Sequence, residues 1–406
     1  MPPTHHTANS PTTNHAQLAP LLAAQNAYSH SARKFSIPIA NSLNHSQEDL
    51  APFPTPENAT LQLDHNPGLD IHYTYYPASN PTGHSNPFSQ TLVVYLNGLT
   101  STRDSWDASI CSFLEKRIVG RLPYPSLLSY DRYGQAESDR NPEEREHDLM
   151  AASQDLRQFI LQIWREHLDA AKPTHFPCLI FVCSGIGCAL ARLFTQHNPG
   201  TVTGLLFLDS IITDADALDI WPNPDSESDV TLPDGVSVQE LRETRRKYGD
   251  AFGVHVTSEE GLSRRNLKDL LPRADQPCLE GYLGKGPYLT VVGHDWESFA
   301  EECRTFHLPF PIPSPLPSPP SHFLTYLTVH PPLSTPKLLT MTYANPAWRR
   351  YNEGLTLLTD DGRAIGPIVA VGCGHAIHVD GPGFVSDEVV SLLDRVVGRM
   401  EQVSER

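Results

Sequence analysis

The 406-residue chain is short of positive charge. Lys and Arg number 30 against 47 Asp and Glu, a formal net charge of −17. Such a surface repels phosphate backbones and anionic lipid, which argues against sequence-independent nucleic-acid binding. Long apolar runs are missing too, and no stretch approaches the roughly 20 residues that a membrane span needs. Cysteine is sparse: Cys111, Cys178, Cys183, Cys188, Cys278, Cys303 and Cys373 are scattered, with no Cys-x-x-Cys pair. That excludes a small disulfide-stapled fold and reads as buried thiols in a reducing compartment. The first residues show no basic region followed by an apolar one, and apart from histidine only Arg33 and Lys34 are basic before Asp49. Neither a secretory nor a transit leader is expected, and the expected location is the cytoplasm.

Proline (37) and glycine (25) are plentiful, which makes the chain loop-rich without being collagen-like. Residues 1–35 are Thr, Asn, His, Ala and Pro with almost no charge, the composition of a disordered arm. His5, His6, His15 and His30 fall there without metal-ligand spacing, so no metal is expected, and no cofactor either. Ten prolines lie between Pro309 and Pro336, a stretch read as a polyproline II or coil connector.

Between these segments the text alternates. Residues 59–64 and 69–76 flank Asn66-Pro67-Gly68 and read as a hairpin. The runs 91–96, 125–130, 178–183 and 203–208 read as strands, most of them apolar enough to be buried on both faces. Helical spacing covers 143–171 and 186–197. After Asp209 the pattern breaks into polar, proline-rich text, with helical pieces at 237–248 and 258–271 and a strand–helix piece from Tyr288 to Arg304. It resumes with an expected strand at 337–343, a helix around 346–357, a strand at 366–371 and a final helix through Val385–Val397. The expected class is α/β: a mostly parallel sheet with an N-terminal antiparallel hairpin and helices on both faces. The expected divisions are a core over 36–210, a cap or lid insertion over 211–335 and a second core part over 336–406.

Open α/β sheets place ligands at the carboxyl ends of their strands. Four turns fall there: Asn97-Gly98, Asp131-Arg132-Tyr133-Gly134, Cys183-Ser184-Gly185-Ile186-Gly187 and Gly372-Cys373-Gly374-His375. In order and spacing this series resembles the α/β-hydrolase superfamily over residues 59–210 and 336–400. The resemblance implies an oxyanion loop at Asn97 and Gly98, with Leu99 offering an N–H. It makes His375 the catalytic histidine, with His378 as a second candidate. It also implies a nucleophile elbow between the strand at 178–183 and the helix at 186–197.

That elbow departs from Gly-x-Ser-x-Gly. Its flanks at minus two and plus two must be small, because strand and helix pack closely there. Residue 185 has Cys183 and Gly187 as flanks, whereas Ser184 has the β-branched Val182 and Ile186. The slot therefore falls on Gly185, with Ile186 as second oxyanion donor, and the nucleophile hydroxyl is gone. Ser184 stays open as a displaced nucleophile. For the acid, Asp295 after the strand-like run at 288–293 ranks ahead of Asp209, and Asp295 reads equally well as a helix N-cap.

Three functions fit. The first is hydrolysis of a small, mainly apolar ester- or amide-like substrate. The second is a nucleophile-free enzyme, of lyase or oxygenase type, with His375 as base. The third is a catalytically inactive relative binding a small ligand under the lid. All three take a small molecule as partner, and nothing in the sequence sets an oligomeric state.

Overall fold

The computed structural model describes residues 51–79, 86–99, 101–142, 147–167, 177–226, 230–256, 258, 260–305 and 334–404. The arm expected over 1–35 and nearly all of the proline-rich stretch lie outside them.

Eight strands form one sheet in the order β1-β2-β4-β3-β5-β6-β7-β8. β1 (Glu57–Gln62) and β2 (Asp70–Tyr76) make the expected hairpin, and β2 runs antiparallel to β4 (Ser126–Tyr130). β3 (Thr91–Leu96), β5 (Cys178–Ser184), β6 (Val202–Leu208), β7 (Tyr288–His294) and β8 (Ala364–Ala370) continue in parallel with β4.

The central strands are apolar throughout because alternate side chains enter two separate cores. Leu92, Val94, Leu96, Phe181, Cys183, Leu205 and Phe207 face one. There α2 (Leu149–His167) brings Leu156, Phe159 and Ile163, and α3 (Ile186–His197) brings Leu190 and Phe194. Val93, Tyr95, Ile180, Val182, Leu206 and Leu208 face the other. It is covered by Ile110 and Phe113 of α1 (Asp107–Val119) and Val385, Val389 and Leu393 of α7 (Pro382–Ser404). No described helix is long and apolar enough to cross a membrane.

Three expectations change. β7 lies in the core sheet between β6 and β8, inside the span read as an insertion. The extra chain is thus divided between the β6–β7 and β7–β8 connections. The strand expected at 337–343 is helical: a turn at Lys337–Leu339 and a wider turn at Thr340–Ala344 lead into α6 (Asn345–Leu355). Pro336 at the N-cap starts that run, and Leu339 and Ala344 bury one side of it against Trp221 and Phe299. Tertiary packing overrides the local β-like text. In the same cluster sit Leu241 and Tyr248 of α4 (Val238–Phe252) and Cys303 of α5 (Trp296–Thr305). The helix expected over 258–271 shrinks to Leu267–Leu270.

Candidate functional site

Gly185 makes the turn from β5 into α3 at φ 54°, ψ −119°. L-residues are strained in that region and glycine is not. Its N–H donates to Leu208 O (3.2 Å) and its carbonyl accepts from Ile211 N–H (3.2 Å), so the turn is tied to β6. Behind it, a Cβ on Gly187 would stand 2.4 Å from Leu96 O. The small plus-two flank is therefore a steric requirement. A Cβ on Gly185 would lie 3.5 Å from His375 Nε2 and 3.6 Å from Gly98 Cα, at ordinary contact distance. A side chain at 185 would point at the histidine and stop against the loop after β3.

Ser184 is the last residue of β5 and is buried. Among the described residues no hydrogen bond joins it to His375. Cys183 and Cys188 are buried in the core, and that burial pushes both thiols well above their ordinary range. They are not thiolates near neutral pH.

Asp209 follows β6 directly and is fully buried, at φ 45°. Its Oδ2 accepts from His375 Nδ1 at 2.6 Å. A second imidazole reaches the same carboxylate: His294 Nδ1 lies 2.9 Å from Oδ1 and 3.0 Å from Oδ2. Burial favours protonation of Asp209, but the charges and hydrogen bonds of His294 and His375 outweigh it and bring its pKa down to about 2.

His375 sits in the loop after β8. Its backbone N–H donates to Glu302 Oε2 (2.8 Å), and the preceding Gly374 N–H donates to Asp380 Oδ2 (2.8 Å). With Nδ1 held by Asp209, Nε2 is the atom turned to the Gly185 side. Burial lowers the proton affinity of His375, but the hydrogen bond and charge of Asp209 more than offset this, and its pKa is raised.

The ranking of the two acids is thereby reversed in space. Asp295 caps α5, accepting from Glu297 N–H (3.0 Å) and Ser298 N–H (3.1 Å), with Gly372 N–H at 3.3 Å on its other oxygen. His378 lies apart as well. It is stacked on Trp106 at 4.2 Å with Nε2 3.1 Å from Ser105 Oγ, and burial followed by the charge of His375 depresses its pKa to about 3.

Asn97 is fully engaged in holding its loop. Its Oδ1 accepts from Trp106 Nε1 (2.8 Å), and its Nδ2 donates to Tyr130 O (2.9 Å) and Gln135 Oε1 (3.1 Å). Gly98 N–H is taken by Ser101 Oγ at 2.9 Å. Of the four residues expected to shape an oxyanion hole, Asn97 and Gly98 are thus engaged within their own loop, and Leu99 and Ile186 directly follow Gly98 and Gly185, where a Gly185 Cβ would lie 3.6 Å from Gly98 Cα. No group of three or more described His, Cys, Asp and Glu side chains is arranged to hold a metal ion.

His294 is the residue that sequence reasoning missed as part of the site. It ends β7, stacks on Phe299 at 4.0 Å and places Nε2 3.2 Å from Asn345 Oδ1. The signal was its place at a strand end, where Asp295 drew the attention instead.

No family model matches the chain, and no curated protein matches it. Among solved structures, an epoxide hydrolase from Vigna radiata aligns over 86% of this chain and 100% of its own, at 10% identity and a TM-score of 0.45. An epoxide hydrolase from Solanum tuberosum, in a mutant form, aligns over 84% and 100%, at 11% identity and a TM-score of 0.46. Epoxide Hydrolase A from Mycobacterium thermoresistibile aligns over 84% and 98%, at 12% identity and a TM-score of 0.41. The strand order stands independently of these likenesses. With an antiparallel start, a glycine elbow after β5, a carboxylate after β6 and its histidine partner after β8, the chain has the α/β-hydrolase fold.

Proposed function

We propose that the chain is a hydrolytic enzyme in which water, activated by His375, replaces the missing side-chain nucleophile. The substrate class is a small, mainly apolar ester or amide. The observation that carries this reading is the aim of the dyad. His375 Nε2 lies 3.5 Å from where a side chain at Gly185 would begin, and Asp209 holds the ring from behind at 2.6 Å. The position a Gly185 side chain would occupy faces the paired imidazole, and in this reading water takes the role of the absent hydroxyl.

The chemistry runs in one displacement. His375 Nε2 takes a proton from water while the water oxygen bonds to the acyl carbon. The carbonyl electron pair moves onto oxygen, and the Leu99 and Ile186 amides stabilise that oxyanion. On collapse the carbon–leaving-group bond breaks, and the imidazolium returns its proton to the leaving group. No acyl-enzyme forms. Asp209 fixes the tautomer, since its contact with Nδ1 leaves Nε2 as the base.

The test is turnover of a panel of small esters beside fluorophosphonate labelling. The parent protein is expected to turn over without being labelled. His375→Ala should lose about 100-fold or more, and Ser184→Ala should lose nothing. Labelling of the parent that disappears in Ser184→Ala would overturn the reading in favour of a serine nucleophile. Thermal stabilisation by these compounds with no turnover would overturn it in favour of a ligand-binding protein.

A further inference from the structure

Arg132 and Glu260 form an ion pair buried beneath the loop after β3, at 4% and 2% side-chain exposure. Arg132 Nη2 lies 3.0 Å from Glu260 Oε2 and 3.1 Å from Oε1. The same guanidinium donates to two successive carbonyls, Asn97 O at 2.8 Å and Gly98 O at 2.9 Å. Gln135 Nε2 adds a second donor to Gly98 O at 2.9 Å and one to Ser101 O at 3.2 Å.

The consequence follows from the peptide unit. The Gly98–Leu99 bond is trans, so its C=O and N–H point in opposite directions. Arg132 and Gln135 follow β4, which flanks β3 on one side, and β5 with its Gly185 turn flanks it on the other. A Gly98 carbonyl drawn toward the β4 side turns Leu99 N–H toward the β5 side, where Gly185 and His375 are.

We propose that Glu260, acting through Arg132, sets the orientation of the Leu99 amide, so that the β6–β7 connection assembles the oxyanion donor. Glu260 supplies the countercharge without which Arg132 would be an unpaired buried cation. Its backbone is seated as closely as packing allows: a Cβ on Gly134, at φ +82°, would stand 2.1 Å from Glu260 O. Nearby, Ser263 N–H donates to His147 O (2.8 Å) and Asn266 Nδ2 to Asp148 Oδ2 (2.6 Å), which fastens the same segment to the chain before α2. Arg132, Gln135 and Glu260 are thus positioning residues. None of them touches the Gly185 space.

The inference rests on the proposed role of Leu99, and the experiment separates the two. Amide hydrogen exchange at Gly98 and Leu99 is followed in the full chain, in Glu260→Gln and in Arg132→Lys, which keeps the charge and loses the fork. Fluorophosphonate labelling is then timed in the same variants carrying Gly185→Ser. Exchange at these two amides should accelerate tenfold or more in both variants, with β5 and α3 unchanged, and labelling should slow by tenfold or more. Unchanged exchange at Gly98 and Leu99 in the folded variants would overturn the proposal. Acceleration spread over β3 and β5 would also overturn it, because the pair would then be a general support. Accelerated exchange with unchanged labelling would uphold the clamp and remove Leu99 from the oxyanion role.

Discussion

Restoring a hydroxyl at residue 185 is the most direct perturbation of this site. The surroundings offer room: a Cβ there meets His375 Nε2 at 3.5 Å, Gly98 Cα at 3.6 Å and His375 Cε1 at 4.0 Å, all ordinary contacts. No overpacking term is therefore expected for Gly185→Ser. What remains is backbone strain, since φ is 54° and serine lacks glycine's freedom there. That strain costs about 1–2 kcal/mol. One bond beyond the Cβ, the hydroxyl comes within the roughly 2.6–3.2 Å reach that a base requires. Gly185→Ser should therefore fold, lose about 1–2 kcal/mol in urea unfolding, and become labelled by a fluorophosphonate where the parent is not. Adding His375→Ala should slow that labelling by about 100-fold or more. Intact-mass measurement reads the adduct and its site. A folded Gly185→Ser protein that stays unlabelled would refute the reasoning. So would a loss above about 4 kcal/mol, the size of effect that core disruption produces.

Gly187→Ala drives a methyl to 2.4 Å from Leu96 O, and about 3 kcal/mol or more of stability should be lost in urea unfolding, with near-parental stability refuting the close strand–helix approach. Turnover should rise with pH through a value above the ordinary histidine pKa of about 6.5, because the base must be neutral and Asp209 raises its proton affinity; Asp209→Asn should move that limb down and cut the rate by about 100-fold or more. Acid stability should carry two signatures, read by unfolding from pH 8 to 2. Asp209, depressed to about 2, contributes about 2 kcal/mol that is present above its unfolded value near 3.8 and is lost as pH falls through 2. His378, depressed to about 3, stays neutral while the unfolded chain takes up a proton, so roughly 5 kcal/mol is lost between pH 6.5 and 3, and His378→Phe should flatten that limb.

How much of this was legible depended on whether the constraint was local. β3, β5 and β6 stood out as continuous apolar runs because each face of the sheet meets its own core, and Leu92 through Leu96 are buried between the two. At the turn from β5 into α3 the five residues from Cys183 to Gly187 showed small flanks, but the partner that demands one lies far away in the chain: a Gly187 Cβ would stand 2.4 Å from Leu96 O at the end of β3. The run at 337–343 misled because its residues do not exclude either strand or helix, and the partners it packs with, Trp221, Leu241, Tyr248, Phe299 and Cys303, lie elsewhere in the chain. The acid is the harder case. Asp209 and Asp295 both follow a parallel strand, so chain position cannot separate them. What separates them is where each backbone turns next. Asp295 enters α5 at once and spends its carboxylate on that helix's first amides. Asp209, at φ 45°, turns its carboxylate to meet a loop 166 residues later. The residue at the end of β7 that does reach this carboxylate is His294, one position before the one sequence reasoning chose. Asp209 thus carries two imidazoles, and it serves His375 while sharing its charge with His294.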